Sequence, residues 1–172
     1  MDTRTSSSPA KQPRTILAGP YGHPFHPILV TIPIGTWTAS LVFDVIALVV
    51  DDPTPYLIGA QALIAIGVLG ALAAAIFGIL DYTVIPAGTR AKKIATTHMG
   101  LNLAAVAIFA IDFFVRLGNG ADEVQVLPIV LSVVGLAGLG LSGYLGGELA
   151  YRYGVRVADE ETQAKGFRAE RS

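Results

Sequence analysis

A chain of 172 residues in which 52% are apolar and only 15% charged is far poorer in charge than a water-soluble domain, where about a quarter of residues carry one. The formal net charge is −1 and there is no cysteine, which excludes disulfides, thiolate-bound zinc, iron–sulfur clusters on this chain and covalent c-type haem. The expected solvent is a lipid bilayer, and no nucleic-acid partner is expected.

In chain order, residues 1–20 open with MDTRTSSSPAKQPRT, rich in Ser, Thr and Pro, and are expected to form a disordered, solvated tail. Four apolar runs follow, each long enough to cross roughly 30 Å of hydrocarbon, which takes about 20 helical residues. The first covers residues 28–50, begins too late and runs too long for a cleaved signal peptide, and is read as an anchor. Pro33 removes a backbone donor and should bend it; Trp37 lies near mid-depth, where its indole N–H needs a partner inside the protein. After the short link Asp51, Asp52 and Pro53, the second run covers 56–80, the third 94–115, and the fourth 124–146, where Pro128 should cause another bend. All four are read as helices because an unpaired backbone in lipid is prohibitively costly. Short links make neighbours antiparallel, so residues 21–157 are expected to be an all-α, up-down-up-down four-helix bundle. The charged tail of residues 158–172 is expected to fray.

Lysine and arginine set the orientation. Arg4, Lys11 and Arg14 precede the first span, Arg90, Lys92 and Lys93 separate the second from the third, and Arg152, Arg156, Lys165, Arg168 and Arg171 follow the fourth, all on one side; Arg116 is assigned to the other. Both termini are therefore expected in the cytoplasm of a bacterial inner membrane. Helix contact in lipid relies on small residues, here Gly70, Ala74 and Gly78 in the second span and Gly138, Ser142 and Gly146 in the fourth, with Gly143 and Gly147 as a parallel row.

Depth along the helices gathers the polar residues into one layer. His23 and His26 enter the first span from the cytoplasmic side, Asp81 ends the second, His98 lies one turn inside the third with Asn102 a turn beyond it on the same face, and Glu148 with Arg152 ends the fourth. An imidazole that deep cannot snorkel as Lys or Arg does. A histidine of the first span and His98 could be opposing axial ligands of a b-type haem whose propionates meet Arg90, Lys92 and Lys93; alternatively His23, His26 and His98 with Asp81 or Glu148 form a nitrogen and oxygen metal site. Asp44 and Asp112 sit inside apolar runs near the outer boundary without a matching buried base, candidates for a proton or cation path. No nucleophile elbow, phosphate loop or dinucleotide fingerprint is present.

The motif GHPFHPILVTIPIGTW followed by Phe43 and Asp44, then THMGLN, then GYLGGELAYRYGVRV, resembles in order and spacing the bacterial membrane family catalogued as domain of unknown function 2231, over Tyr21 to Val157. The resemblance implies a four-helix membrane domain, sometimes beside or fused to Rieske-type iron–sulfur modules, and marks His23, His26, Asp44, His98, Asn102, Gly146, Gly147 and Glu148. Family members often carry a further histidine where this chain has Thr31. Three functions are compatible with these features: a haem- or metal-binding electron-transfer subunit built on His98 with His26 or His23, a non-catalytic membrane partner subunit, and a small transporter or proton-path component using Asp44 and Asp112.

Overall fold

The computed structural model describes Ala10, Lys11 and residues 24–167. The described residues form helices and turns, with four helical stretches long and apolar enough to cross a membrane: Phe25–Ala47, Thr54–Thr83, Arg90–Asn119 and Val126–Arg152. The first is broken into α1 (Phe25–Leu29) and α2 (Thr31–Ala47), joined through Val30. The break is the one Pro33 dictates, since it has no N–H to return to the carbonyl four residues earlier.

Next come α3 (Thr54–Thr83), started by Pro53 and Pro55, α4 (Arg90–Asn119), capped by the Thr89 hydroxyl accepting from the Lys92 amide at 3.1 Å, and α5 (Val126–Gly147). Gly120, at φ 77°, ends α4, a conformation a side chain would strain. Pro128 does not bend its helix. It is the third residue of α5, where the amide has no helical partner to lose. A π-helical turn, Glu148–Arg152, prolongs α5, and the expected fraying tail instead forms the short α6 (Glu160–Gly166), its first turn capped by Asp159 accepting from the Thr162 amide at 2.8 Å. Nor is all of the N-terminal tail solvated: Ala10 is buried against Ile85, Ala95 and Leu149, and its carbonyl accepts from the Arg156 amide at 2.8 Å.

The chain is built inside out for water. Leu69, Ile76, Phe114 and Leu141 face outward, while fully buried positions include Ser40, Asp44, Asp112, Ser132 and Ser142. In a bilayer this is the low-energy arrangement, apolar side chains to lipid and polar groups paired internally. α2 packs along α3 and α4 along α5, giving two hairpins that meet through α3 against α4 and more loosely through α2 against α5. We call the end bearing the described terminal segments the tail side and the other the far side.

Glycine sets the closest approaches. Trp37 reaches α3 beside Gly67, and its indole N–H donates to the Ile64 carbonyl at 3.3 Å, the internal partner its depth demanded. The indole stacks on Phe109, ring centroids 4.0 Å apart, and Phe109 in turn lies over Gly135. Gly70 lies under Ile32 and Pro33, and Gly78 under His26. Of the small residues of α5, Ser142 is buried and Gly146 underlies His98, but Gly138 and Gly143 face open space, so that row is not a continuous packing face.

These contacts repeat. His26 stands to Ala74 and Gly78 as His98 stands to Ser142 and Gly146, and Trp37 and Gly67 correspond to Phe109 and Gly135. Equivalent residues lie 72 apart between α1–α2 and α4, and 68 apart between α3 and α5. The bundle is two helical hairpins with matching contacts, placed in parallel.

A methyl group at Gly135 would sit 2.6 Å from the Phe109 ring, whereas one at Gly138 meets nothing within 4 Å. Gly135→Ala should therefore cost about 1–3 kcal/mol through overpacking and lower the detergent unfolding temperature, while Gly138→Ala leaves it unchanged; equal shifts would contradict this packing.

Candidate functional site

On the tail side the two hairpins diverge and enclose a cleft of about 460 Å³, within the range of small-molecule sites. Its walls are mostly apolar, with small residues such as Ala71, Ala74, Gly78, Ala95 and Gly146 among larger ones such as Trp37, Leu103 and Leu139; His26, His98 and Asn102 are its central polar groups. Asp81 and Arg156 lie at its rim, ion-paired at 2.6 Å. Arg156 is held at φ 60°, a conformation few non-glycine residues adopt.

Both imidazoles are oriented by the backbone of the opposite helix in their own hairpin. His26 Nδ1 lies 2.9 Å from the Ala74 carbonyl and His98 Nδ1 lies 2.8 Å from the Ser142 carbonyl. A carbonyl only accepts, so each ring donates through Nδ1 and its neutral form carries a lone pair on Nε2. The glycine four residues beyond each carbonyl, Gly78 or Gly146, provides the room: a Cβ there would lie 3.0 Å or 3.1 Å from the ring. The ring centroids are 6.4 Å apart with nearly perpendicular planes.

The two histidines then part company. Asn102, one turn beyond His98, donates its amide to His98 Nε2 at 3.0 Å. The equivalent position one turn beyond His26 is Val30, which has nothing to donate. Among the described residues His26 Nε2 has no hydrogen-bond partner, while both nitrogens of His98 are taken. The Ser142 hydroxyl adds a contact to His98 Nδ1 at 2.9 Å and donates to the His98 carbonyl at 3.2 Å. His98, expected as the central ligand, is thus a cross-link between α4 and α5.

The rest of the expected layer is not gathered into one site. Glu148 pairs with Arg152 at 3.1 Å and Asp81 with Arg156; among the described residues no three His, Asp or Glu form a group that could hold a metal. His23 lies outside the described residues. Arg90 is exposed in the first turn of α4, and Lys92 donates to the Tyr82 carbonyl at 2.8 Å while lying over the Tyr82 ring. Neither lines the cleft.

On the far side the expectation of unmatched acids is overturned. Arg116 is buried inside α4, with its guanidinium bidentate to Asp44 at 2.7 Å and 2.7 Å and its Nε on Asp112 at 3.0 Å; the Ser132 hydroxyl donates to Asp112 at 2.8 Å. The third helix continues to Asn119 instead of ending at Val115, which turns a supposed loop charge into a buried residue of the bundle. One guanidinium, two carboxylates and a hydroxyl tie α2, α4 and α5 together. The Asp112 and Arg116 spacing of one helical turn was the sequence signal that could have found them.

A family model described as "Predicted membrane protein (DUF2231)" matches residues 22–159. No curated protein and no solved structure matches the chain.

Removing the guanidinium would leave two buried carboxylates without a counter-ion, the costliest way to break an ion pair. Arg116→Met should destabilise the bundle by about 3–5 kcal/mol, and adding Asp44→Asn and Asp112→Asn should recover most of that loss. Denaturant unfolding in detergent measures both; a triple variant no better than Arg116→Met would show that shape rather than charge pairing dominates.

Proposed function

The chain belongs to the DUF2231 family of membrane proteins, and from the geometry of its cleft we propose that it is a membrane subunit that holds a small redox-active molecule on the tail side and relays electrons to a partner. The observation that carries this reading is His26, whose ring is fixed by the Ala74 carbonyl while its Nε2, in an apolar cleft, has no hydrogen-bond partner among the described residues. Fixing Nδ1 on a carbonyl is how proteins orient an imidazole toward a metal or ligand on its other nitrogen. Electron transfer, with a Rieske-type iron–sulfur protein as partner, is the finer part of the reading and follows the family resemblance. By the basic-residue count, the tail side is the cytoplasmic face of a bacterial inner membrane.

A b-type haem held by both histidines fits poorly. Asn102 would have to release His98 Nε2, and the one guanidinium among the described lining residues, Arg156, is already paired to Asp81. Propionates would find no ready cation there. His26 alone would give one ring nitrogen to a redox-active molecule that brings any further metal ligands with it and would supply the one-electron chemistry when bound. The chain's part is to hold the molecule, orient it through His26 and shield it with the apolar walls. The proton-path reading of Asp44 and Asp112 draws no support from carboxylates clamped by Arg116.

A second reading, a non-catalytic partner subunit, is favoured by His98, both of whose nitrogens are satisfied within the chain. The two separate on one preparation. Protein purified from native membranes should contain a bound small molecule, seen in its visible spectrum, by elemental analysis or in an organic extract, and His26→Phe should remove it without unfolding the bundle. His98→Ala should chiefly lower stability. A protein free of ligand whose thermal stability responds only at His98 would leave the partner-subunit reading.

The orientation has its own measurement. A reporter fused after Ser172 should be active only in its cytoplasmic form and one inserted at Asp52 only in its external form; the reverse pattern would place the cleft on the outer face.

A further inference from the structure

We infer that the occupant of the cleft is a quinol dissolved in the bilayer: a flat ring carrying hydroxyl groups, with an apolar chain. The inference rests on the ligand-holding reading above and adds the chemical class and the route of entry.

The hydrogen-bond inventory sets the head of the molecule. His26 donates to Ala74 through Nδ1, so its neutral ring offers a lone pair on Nε2. Asn102 has one amide hydrogen committed to His98, which leaves its carbonyl oxygen and the second amide hydrogen. Of the other polar groups on the walls, the Trp37 indole is paired with the Ile64 carbonyl, the Tyr82 hydroxyl with Thr96 and Asp81 with Arg156, while Tyr151 is 93% exposed and its hydroxyl is not among the central groups. The open groups at the centre are thus two acceptors and one donor. A hydroxyl, which donates and accepts, matches such a surface; an oxidised quinone carbonyl, which only accepts, leaves the His26 lone pair without a partner.

The walls set the body. Beside the two imidazoles, which cover Gly78 and Gly146, the walls carry short side chains at Ala71, Ala75 and Ala95 among larger apolar ones such as Leu103 and Leu139, and this apolar lining suits a ring. Charge is excluded, because the one lining guanidinium is paired with the one lining carboxylate. The entry we assign is lateral: Pro27 on α1, Ile34 on α2 and Gly143 on α5 line the cleft and are exposed, and α2 and α5 meet loosely. A molecule already dissolved in the hydrocarbon reaches His26 through that gap without crossing water.

Trp37 is the chain's one tryptophan and it lines the cleft, so its fluorescence reports occupancy. The full-length protein in phosphatidylcholine vesicles, kept anaerobic, is titrated with a short-chain ubiquinol and separately with the matching ubiquinone. Expected is saturable quenching by the quinol at about tenfold lower concentration than by the quinone. His26→Phe should weaken quinol binding about tenfold. Gly143→Leu, which places a side chain in open space at the gap, should slow binding while leaving the helical content unchanged. Equal quenching by both redox forms, or quenching that neither variant alters, would overturn the proposal. If the native protein carries haem, a metal or a glycerolipid that His26→Phe removes, and the quinol does not quench, the quinol is wrong and the ligand-holding reading stands. No native ligand together with no quenching overturns both.

Discussion

A polar side chain in a bilayer has no water to fall back on, so its partner must come from the protein, and nearly every specific contact in this bundle satisfies that demand. The recurring solution is a ring nitrogen reaching across to a backbone carbonyl on the neighbouring helix, beside a glycine. Trp37 at Ile64 beside Gly67, His26 at Ala74 beside Gly78, and His98 at Ser142 beside Gly146 are three instances. Each anchors two helices at a fixed separation and rotation, something apolar packing against lipid-like neighbours does weakly. The guanidinium of Arg116, gripping Asp44 and Asp112, does the same on the far side with charge.

The two hairpins match in their contacts, and the departures from that match show where the halves have separate tasks. On the far side Asp44 and Arg116 occupy equivalent places in the two hairpins, so the pseudo-symmetric pair is a salt bridge across the axis. At mid-depth the equivalents are Trp37 and Phe109, which stack. On the tail side both halves keep the histidine, its carbonyl and its glycine, but only one has an asparagine a turn further on. That asparagine occupies Nε2 of one imidazole, while the other has no Nε2 partner among the described residues and lines the cleft.

Much of the fold was legible because lipid imposes strong rules on composition. Four runs, their short links and the break at Pro33 all follow from span length and backbone satisfaction, and the positions of His98 and Asn102 on one face of α4 follow from helical period. The structure differs at the ends. Hydropathy ends the third run at Val115, which makes Arg116 a loop charge and leaves Asp44 and Asp112 without a base, and starts it at Ile94, which puts Lys92 in a loop, whereas α4 takes in both basic residues. Hydropathy averages cannot place a charged residue that a partner keeps inside the bundle, because the partner's position is not local information. Pro128 was misjudged for a related reason: a proline bends an interior turn but not a first one.

By itself the sequence determined that this is a membrane bundle of four helices, with polar residues at two depths and glycines at close approaches, since those features depend on residue type and periodicity alone. The tertiary structure decided which polar residues meet. Asp81 and Glu148, placed by depth in the histidine layer, turn to Arg156 and Arg152, and His98 is occupied on both nitrogens while His26 is not. Depth is a coordinate along one helix. The partner of a side chain depends also on how each helix is rotated and how far it stands from the next, and those were set jointly by glycines and carbonyls from segments tens of residues apart.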